Sequence, residues 1–188
     1  MEKSDLRIIK TKKALYDALR NLMKTKTFEE IKVSDICEEA LINRSTFYAH
    51  FDDKYSLLES MIDSLKQDLT KNLNNNKNFT TTKEYYMEII RLYLDHIEQN
   101  KDTYLSIAIN NRNSILVDII YDVIDKDIVY KLNNDDFANH LKIPKDIISK
   151  FFLGAVVNVG IYWIYNMNKY SKEELLNYLI ELIPDEID

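Results

Sequence analysis

Glycine and proline are nearly missing, with two of each in 188 residues. Tight hairpins draw on both, for positive φ and for preset turn geometry, so an architecture of many short strands is excluded. The single cysteine, Cys37, cannot close an internal disulfide or build a thiolate metal cluster. His96 and His140 lie in different segments, and neither has an i,i+4 partner to make a metal pair. Asp125, Asp127, Asp135 and Asp136 lack the glycine and the oxygen spacing of a calcium loop, and read as solvated helix ends. A glycine-rich phosphate loop, a nucleophile elbow and a Cys/His pair are all absent. The chain is therefore read as a non-enzyme with no cofactor and no metal. No apolar run of a signal peptide opens it, which leaves the cytoplasm as the default location.

What is present is apolar residues at three- and four-residue intervals. A hydrophobic share of 46% supports packed cores rather than disorder. The reading is all-α: an N-terminal three-helix helix-turn-helix domain over 1–55 and a C-terminal helical bundle over 56–188, with about nine helices in total. Charge is spread unevenly between the two. Residues 1–55 carry 11 Lys/Arg against 10 Asp/Glu, whereas 56–188 carry 14 against 21. Only the N-terminal part is fit to meet phosphates, and its slim excess makes placed cations and helix ends matter more than bulk charge.

Leu15, Ala18, Leu19, Leu22 and Met23 form the stripe of a first helix. Two short helices follow, over about 33–40 and 44–50, and Asp53 caps a longer one carrying Leu57, Leu58, Met61, Ile62 and Leu65. The asparagine-rich tract 72–78 reads as a solvated linker. Thr81 with Glu84, and Ser171 with Glu174, have capping-box spacing, and Pro144 suits a helix start. Between them, residues 151–167 are apolar nearly all round. Seventeen residues interrupted by Asn158 and Asn166 make a short membrane span, so no membrane is expected. A second subunit is the better cover, with Phe152, Val156, Val159, Leu176, Leu179 and Ile183 as the candidate face of a homodimer.

The segment 31–51 has the mechanics of two short helices joined by a tight turn. Val33, Ile36, Ala40, Ile42, Phe47 and Phe51 are placed to share a small core, Cys37 fits where the helices cross, and Asn43 caps the second helix. That helix presents Arg44, Ser45, Thr46, Tyr48 and His50, all able to donate hydrogen bonds. Such a face suits a major groove, where Arg pairs with guanine and hydroxyls reach phosphates.

With Val33, Asp35-Ile36, Ala40, Ile42, Arg44, Thr46-Phe47-Tyr48, His50-Phe51, Lys54 and Leu57, this stretch resembles the tetracycline-repressor (TetR/AcrR) family of one-component regulators. The resemblance covers about 50 residues. It implies that Tyr48, His50 and Lys54 contact backbone phosphates and that Arg44, Ser45 and Thr46 lie nearest the base edges. It also implies an effector pocket in the bundle, for which Tyr86, Tyr93, Tyr104, Tyr121, Tyr162 and Trp163 are candidates. One position departs from the family: Leu41 stands where glycine is usual, and if its φ is positive it costs on the order of 1 kcal/mol. The partners implied are a double-stranded DNA operator, a second copy of the chain and a small-molecule effector. The function read from this is a repressor released from its operator by that effector; the alternative is an effector-independent DNA-bound scaffold that recruits a protein partner.

Overall fold

A computed structural model describes residues 3–71, 73, 82–134 and 142–183. Among them the chain forms nine helices and no strand: α1 (Lys3–Met23), α2 (Val33–Glu39), α3 (Arg44–Tyr48), α4 (Lys54–Thr70), α5 (Thr82–Gln99), α6 (Lys101–Asn110), α7 (Leu116–Asn134), α8 (Lys145–Tyr165) and α9 (Lys172–Leu182). The fold class is the expected all-α one. The asparagine-rich tract apart from Leu73, and Thr81, Asp135, Asp136, His140 and Pro184, lie outside the described residues.

The chain divides into two compact units, one of residues 1–64 with 103–119 and one of 65–102 with 120–188. The expected 55/56 boundary follows the linear order of motifs, whereas the first unit also contains a segment, 103–119, from the middle of the expected C-terminal domain. Its core takes Leu15, Ala18, Leu19 and Met23 from α1, then Phe28 and Ile31, Ile36 and Cys37 from α2, Phe47 from α3, Phe51, Leu57 and Leu58 from α4, and Leu116 from the returning segment. Leu15, Ala18, Leu19 and Met23 of the α1 stripe and Ile36, Cys37, Phe47 and Phe51 of the turn core are thus buried, whereas Leu22, Val33, Ala40 and Ile42 are only half-buried.

In the second unit, Met87 and Leu94 of α5 pack with Trp163 of α8 and with Leu175 and Leu179 of α9. The Trp163 indole donates to the Tyr170 carbonyl at 2.9 Å, so the buried ring keeps its hydrogen bond. Ser171 and Glu174 form the capping box that opens α9: the Ser171 hydroxyl accepts from the Glu174 N–H at 3.2 Å, and the Glu174 carboxylate accepts from the Ser171 N–H at 2.9 Å. Pro144 stands at the start of α8, as its N-cap rather than within its first turn.

This core corrects two groups of expectations. Leu179 is a core residue and cannot face a partner, while Val159, Leu176 and Ile183 pack partly buried against the same cluster. Phe152 packs against Leu132 and Ile148, and Val156 is half-buried. The exposed side of α8 runs instead through Ile147, Phe151, Ala155, Asn158 and Tyr162, one residue out of register from the expected set. Because α8 is apolar on every side, periodicity could not choose between these two faces. By length and composition α8 is also able to cross a membrane, but its inner side, with Ile148, Ser149, Leu153 and Trp163, is buried in the unit.

The six aromatic residues expected to line an effector pocket are divided between the two units. Tyr104 belongs to the first unit and the other five to the second. Trp163 is core, Tyr162 is exposed, and the Tyr121 hydroxyl donates to the Gly154 carbonyl at 3.3 Å and accepts from the Asn158 amide at 2.8 Å.

Candidate nucleic-acid interface

Helices α2 and α3 are too short to persist alone, and their ends are secured bond by bond. At the start of α2 the Lys32 N–H donates to the Asp35 carboxylate at 3.3 Å, and the Lys26 ammonium pairs with the same oxygen at 3.2 Å. Those two contacts hold the Asp35 carboxyl below the ordinary aspartate range. At the end of α2 the Ile42 N–H donates to the Cys37 carbonyl at 2.9 Å and the Leu41 N–H to the Glu38 carbonyl at 3.1 Å. This nested pair is a Schellman motif, which needs a left-handed residue at its fifth position. That residue is Leu41, at φ 55°, the one non-glycine with positive φ among the described residues. A glycine would take this conformation freely, whereas an L side chain costs about 1–2 kcal/mol.

The turn delivers α3 with its N-terminus free. Asn43 occupies the N-cap position with extended backbone, but its side chain makes no capping bond, contrary to expectation. Arg44, Ser45 and Tyr48 are exposed, Tyr48 at 56%, while Thr46 and His50 are half-buried. Phe47 is fully buried, with the Phe51 ring at 6.0 Å and the Tyr48 ring at 5.4 Å. One ring thus seats the helix while its neighbours stay in solvent. Burial pushes the Cys37 thiol up, opposed by the Arg44 guanidinium, which leaves it a packing residue.

Helix α4 begins as expected, with the Ser56 N–H donating to the Asp53 carboxylate at 2.8 Å. Lys54 departs from expectation. Its ammonium donates to the carbonyls of Phe28, Glu29 and Ile31 at 2.8, 2.9 and 2.9 Å, and lies 4.8 Å from the centre of the Phe28 ring. All three hydrogens are thereby committed within the protein, and none is left for a phosphate in this conformation. Burial holds the Lys54 pKa below the ordinary lysine value, and the Glu29 carboxylate opposes that shift.

The loop that Lys54 grips is held from the other side by residues the sequence did not single out. Asn111 is 2% exposed. Its side-chain oxygen accepts from the Phe28 N–H at 2.8 Å, and its amide donates to the carbonyls of Met23 at 3.1 Å and Ile107 at 3.0 Å. Asn110 donates to the Lys24 carbonyl at 2.7 Å. The carbonyls left over where α1 ends are therefore capped by side chains more than 80 residues away in sequence. In return, the Glu29 carboxylate accepts from the Ile115 N–H at 2.6 Å and the Ser114 hydroxyl at 2.8 Å, just before α7. Burial alone would raise the Glu29 pKa; these two bonds, with the nearby Lys54 ammonium and the residue's own backbone N–H, outweigh it and the carboxyl lies below its usual value. No sequence signal pointed to this clamp, since an Asn-Asn pair at a helix end reads as solvated.

Among the described residues no group of three or more His, Cys, Asp or Glu is placed to hold a metal. Comparison with known proteins agrees with the helix-turn-helix. Residues 15–61 match the family described as bacterial regulatory proteins, tetR family, and residues 84–185 match that described as transcriptional regulator C-terminal region. The chain is 25% identical over 177 residues to the dhaKLM operon transcriptional activator DhaS of Lactococcus lactis, covering 92% of this chain and 88% of that protein. A TetR transcriptional regulator from Streptococcus agalactiae has the same fold, with a TM-score of 0.62 and 25% identity over 95% of this chain and 96% of that one. FadR from Bacillus subtilis, solved in complex with stearoyl-CoA, shares the fold at a TM-score of 0.55 and 15% identity, over 90% of this chain and 95% of that one. With both its reading unit and its C-terminal region matched, the chain belongs to the TetR family of DNA-binding transcriptional regulators.

Proposed function

We propose that the protein binds a near-palindromic operator as a homodimer, each copy placing the N-terminus of α3 in a major groove. The observation that carries this reading is the exposed donor set Arg44, Ser45 and Tyr48 on a helix seated by buried Phe47. Arg44 and Ser45, in the first turn, reach base edges; Tyr48 reaches a phosphate; half-buried Thr46 and His50 complete the set from its flanks. Duplexes selected from a random pool by the wild-type protein supply the probe. Arg44→Ala is expected to bind the selected duplex about 10- to 100-fold more weakly and to lose preference at one base pair. Its thermal midpoint should stay unchanged. Equal binding by variant and wild type would reject this face of α3 as the reader.

The dimer is supported by the exposed apolar row of α8, where Phe151 is 69% exposed, together with Tyr178 and Leu182 on one side of α9. A patch of that kind on a soluble chain is the mark of a partner surface. Phe151→Asp is expected to convert the dimer to monomer in sedimentation and to weaken operator binding with it. A wild type that sediments as a monomer at operator-binding concentrations would remove the two-fold reading.

The output proposed is repression in the cytoplasm, relieved by a small molecule held in the second unit. Release then depends on that molecule's differential affinity for the free and the operator-bound conformations. A second reading, activation, is favoured by the similarity to DhaS, an activator by name. A reporter under the chain's own upstream region separates them: deleting the gene raises expression from a repressed promoter and lowers it from an activated one. The scaffold alternative has no observation in its favour.

A further inference from the structure

Leu41 is 92% exposed, the highest value among the large hydrophobic residues described, and it occupies the strained fifth position of the turn. A leucine there gives the folded protein little: it buries almost no surface, and its backbone conformation is one glycine adopts without a side-chain clash. Strain retained without a packing return points to a role outside the folded chain. Leu41 stands two residues before Asn43, the N-cap of α3, and Asn43, Arg44 and Ser45 are exposed beside it. A helix that enters a groove N-terminus first brings this turn to the groove's edge.

From this we infer that Leu41 is a specificity residue of the operator complex, whose isobutyl group packs on the C5-methyl of one thymine per half-site, next to the base pair met by Arg44. The methyl is the one apolar group a base edge offers in the major groove, and an aliphatic side chain is its complement. The inference rests on the operator reading proposed above.

The probe is the duplex selected by wild type, with single thymines replaced by deoxyuridine, which lacks only that methyl. At one thymine per half-site the replacement is expected to weaken wild-type binding about fourfold, or about fifteenfold when both half-sites are changed, the worth of a methyl withdrawn from contact. Leu41→Gly should weaken binding to the thymine duplex by at least as much, and should not distinguish deoxyuridine from thymine. Non-additivity in that cycle is the signature of direct contact. Loss of folding does not confuse the result, because glycine relieves the φ strain and Leu41→Gly is expected to melt a few degrees higher than wild type. Wild type that enriches no duplex would overturn the operator reading itself. Tight binding by wild type with equal affinity in Leu41→Gly, or with no thymine whose methyl matters, would overturn this inference and leave the operator reading standing.

Discussion

Replacing Asn111 by alanine is expected to lower the stability of the protein by about 3 kcal/mol, read as a shift of the urea midpoint without a change of slope. The side chain is almost fully buried and every polar atom of it is used. Its loss strands the N–H of Phe28 and the carbonyl of Met23, groups of fully or nearly fully buried residues. An unpaired buried donor or acceptor costs about 1–3 kcal/mol, so two of them, less whatever water enters the gap, give the figure above. Asn111→Asp makes the logic sharper. It keeps the acceptor for Phe28 but turns a carboxylate oxygen toward the carbonyls of Met23 and Ile107, so at neutral pH it should be at least as damaging as alanine. Protonation restores one donor, and part of the loss should be recovered in acid. An unfolding free energy for Asn111→Ala within about 0.5 kcal/mol of wild type would show that the loop 24–31 holds itself. Operator affinity should fall alongside stability, because that loop leads directly into α2.

Most of the helices were legible because they are amphipathic or capped in a way a single sequence reveals; α6, which is neither, was not singled out. Ile36, Cys37, Phe47 and Phe51 fall inside because their spacing leaves no other choice, and Ser171 with Glu174 announces α9 by its own chemistry. Leu41 was legible as a strained position because the resembled family carries glycine there, the residue that takes a left-handed conformation without a side-chain clash. The clamp was illegible for the opposite reason. Asn111 and Phe28 are 83 residues apart, and nothing local in Asn110-Asn111 separates a solvated helix end from a cap on another helix. The exposed side of α8 was misread by one residue because a helix apolar all round carries no phase. The aromatic residues of the bundle were grouped by composition, and composition does not say that Trp163 is core while Tyr104 lies in the other unit.

Lys54 shows how a side chain fitting a motif can act by another route, and Lys54→Met separates the two roles. Methionine keeps most of the stem but removes the ammonium from among three carbonyls, those of Phe28, Glu29 and Ile31. Charge-assisted hydrogen bonds contribute about 1.5–3 kcal/mol each when buried; this group is half-exposed and water can replace part of the set, so the expected loss is about 2 kcal/mol in all. Lys54→Arg should not rescue it. A planar guanidinium spreads its donors along a fork and cannot converge them on acceptors arranged around a single nitrogen. The salt dependence of operator binding then decides the question. A lysine on a phosphate in each half-site would reduce the slope of log K against log salt by about 1.8 when removed from both copies. For Lys54→Met the slope is expected to stay at the wild-type value while the affinity falls and the urea midpoint drops, the pattern of a residue that positions the reading helix from behind. A reduced slope with unchanged stability would return Lys54 to the phosphate backbone.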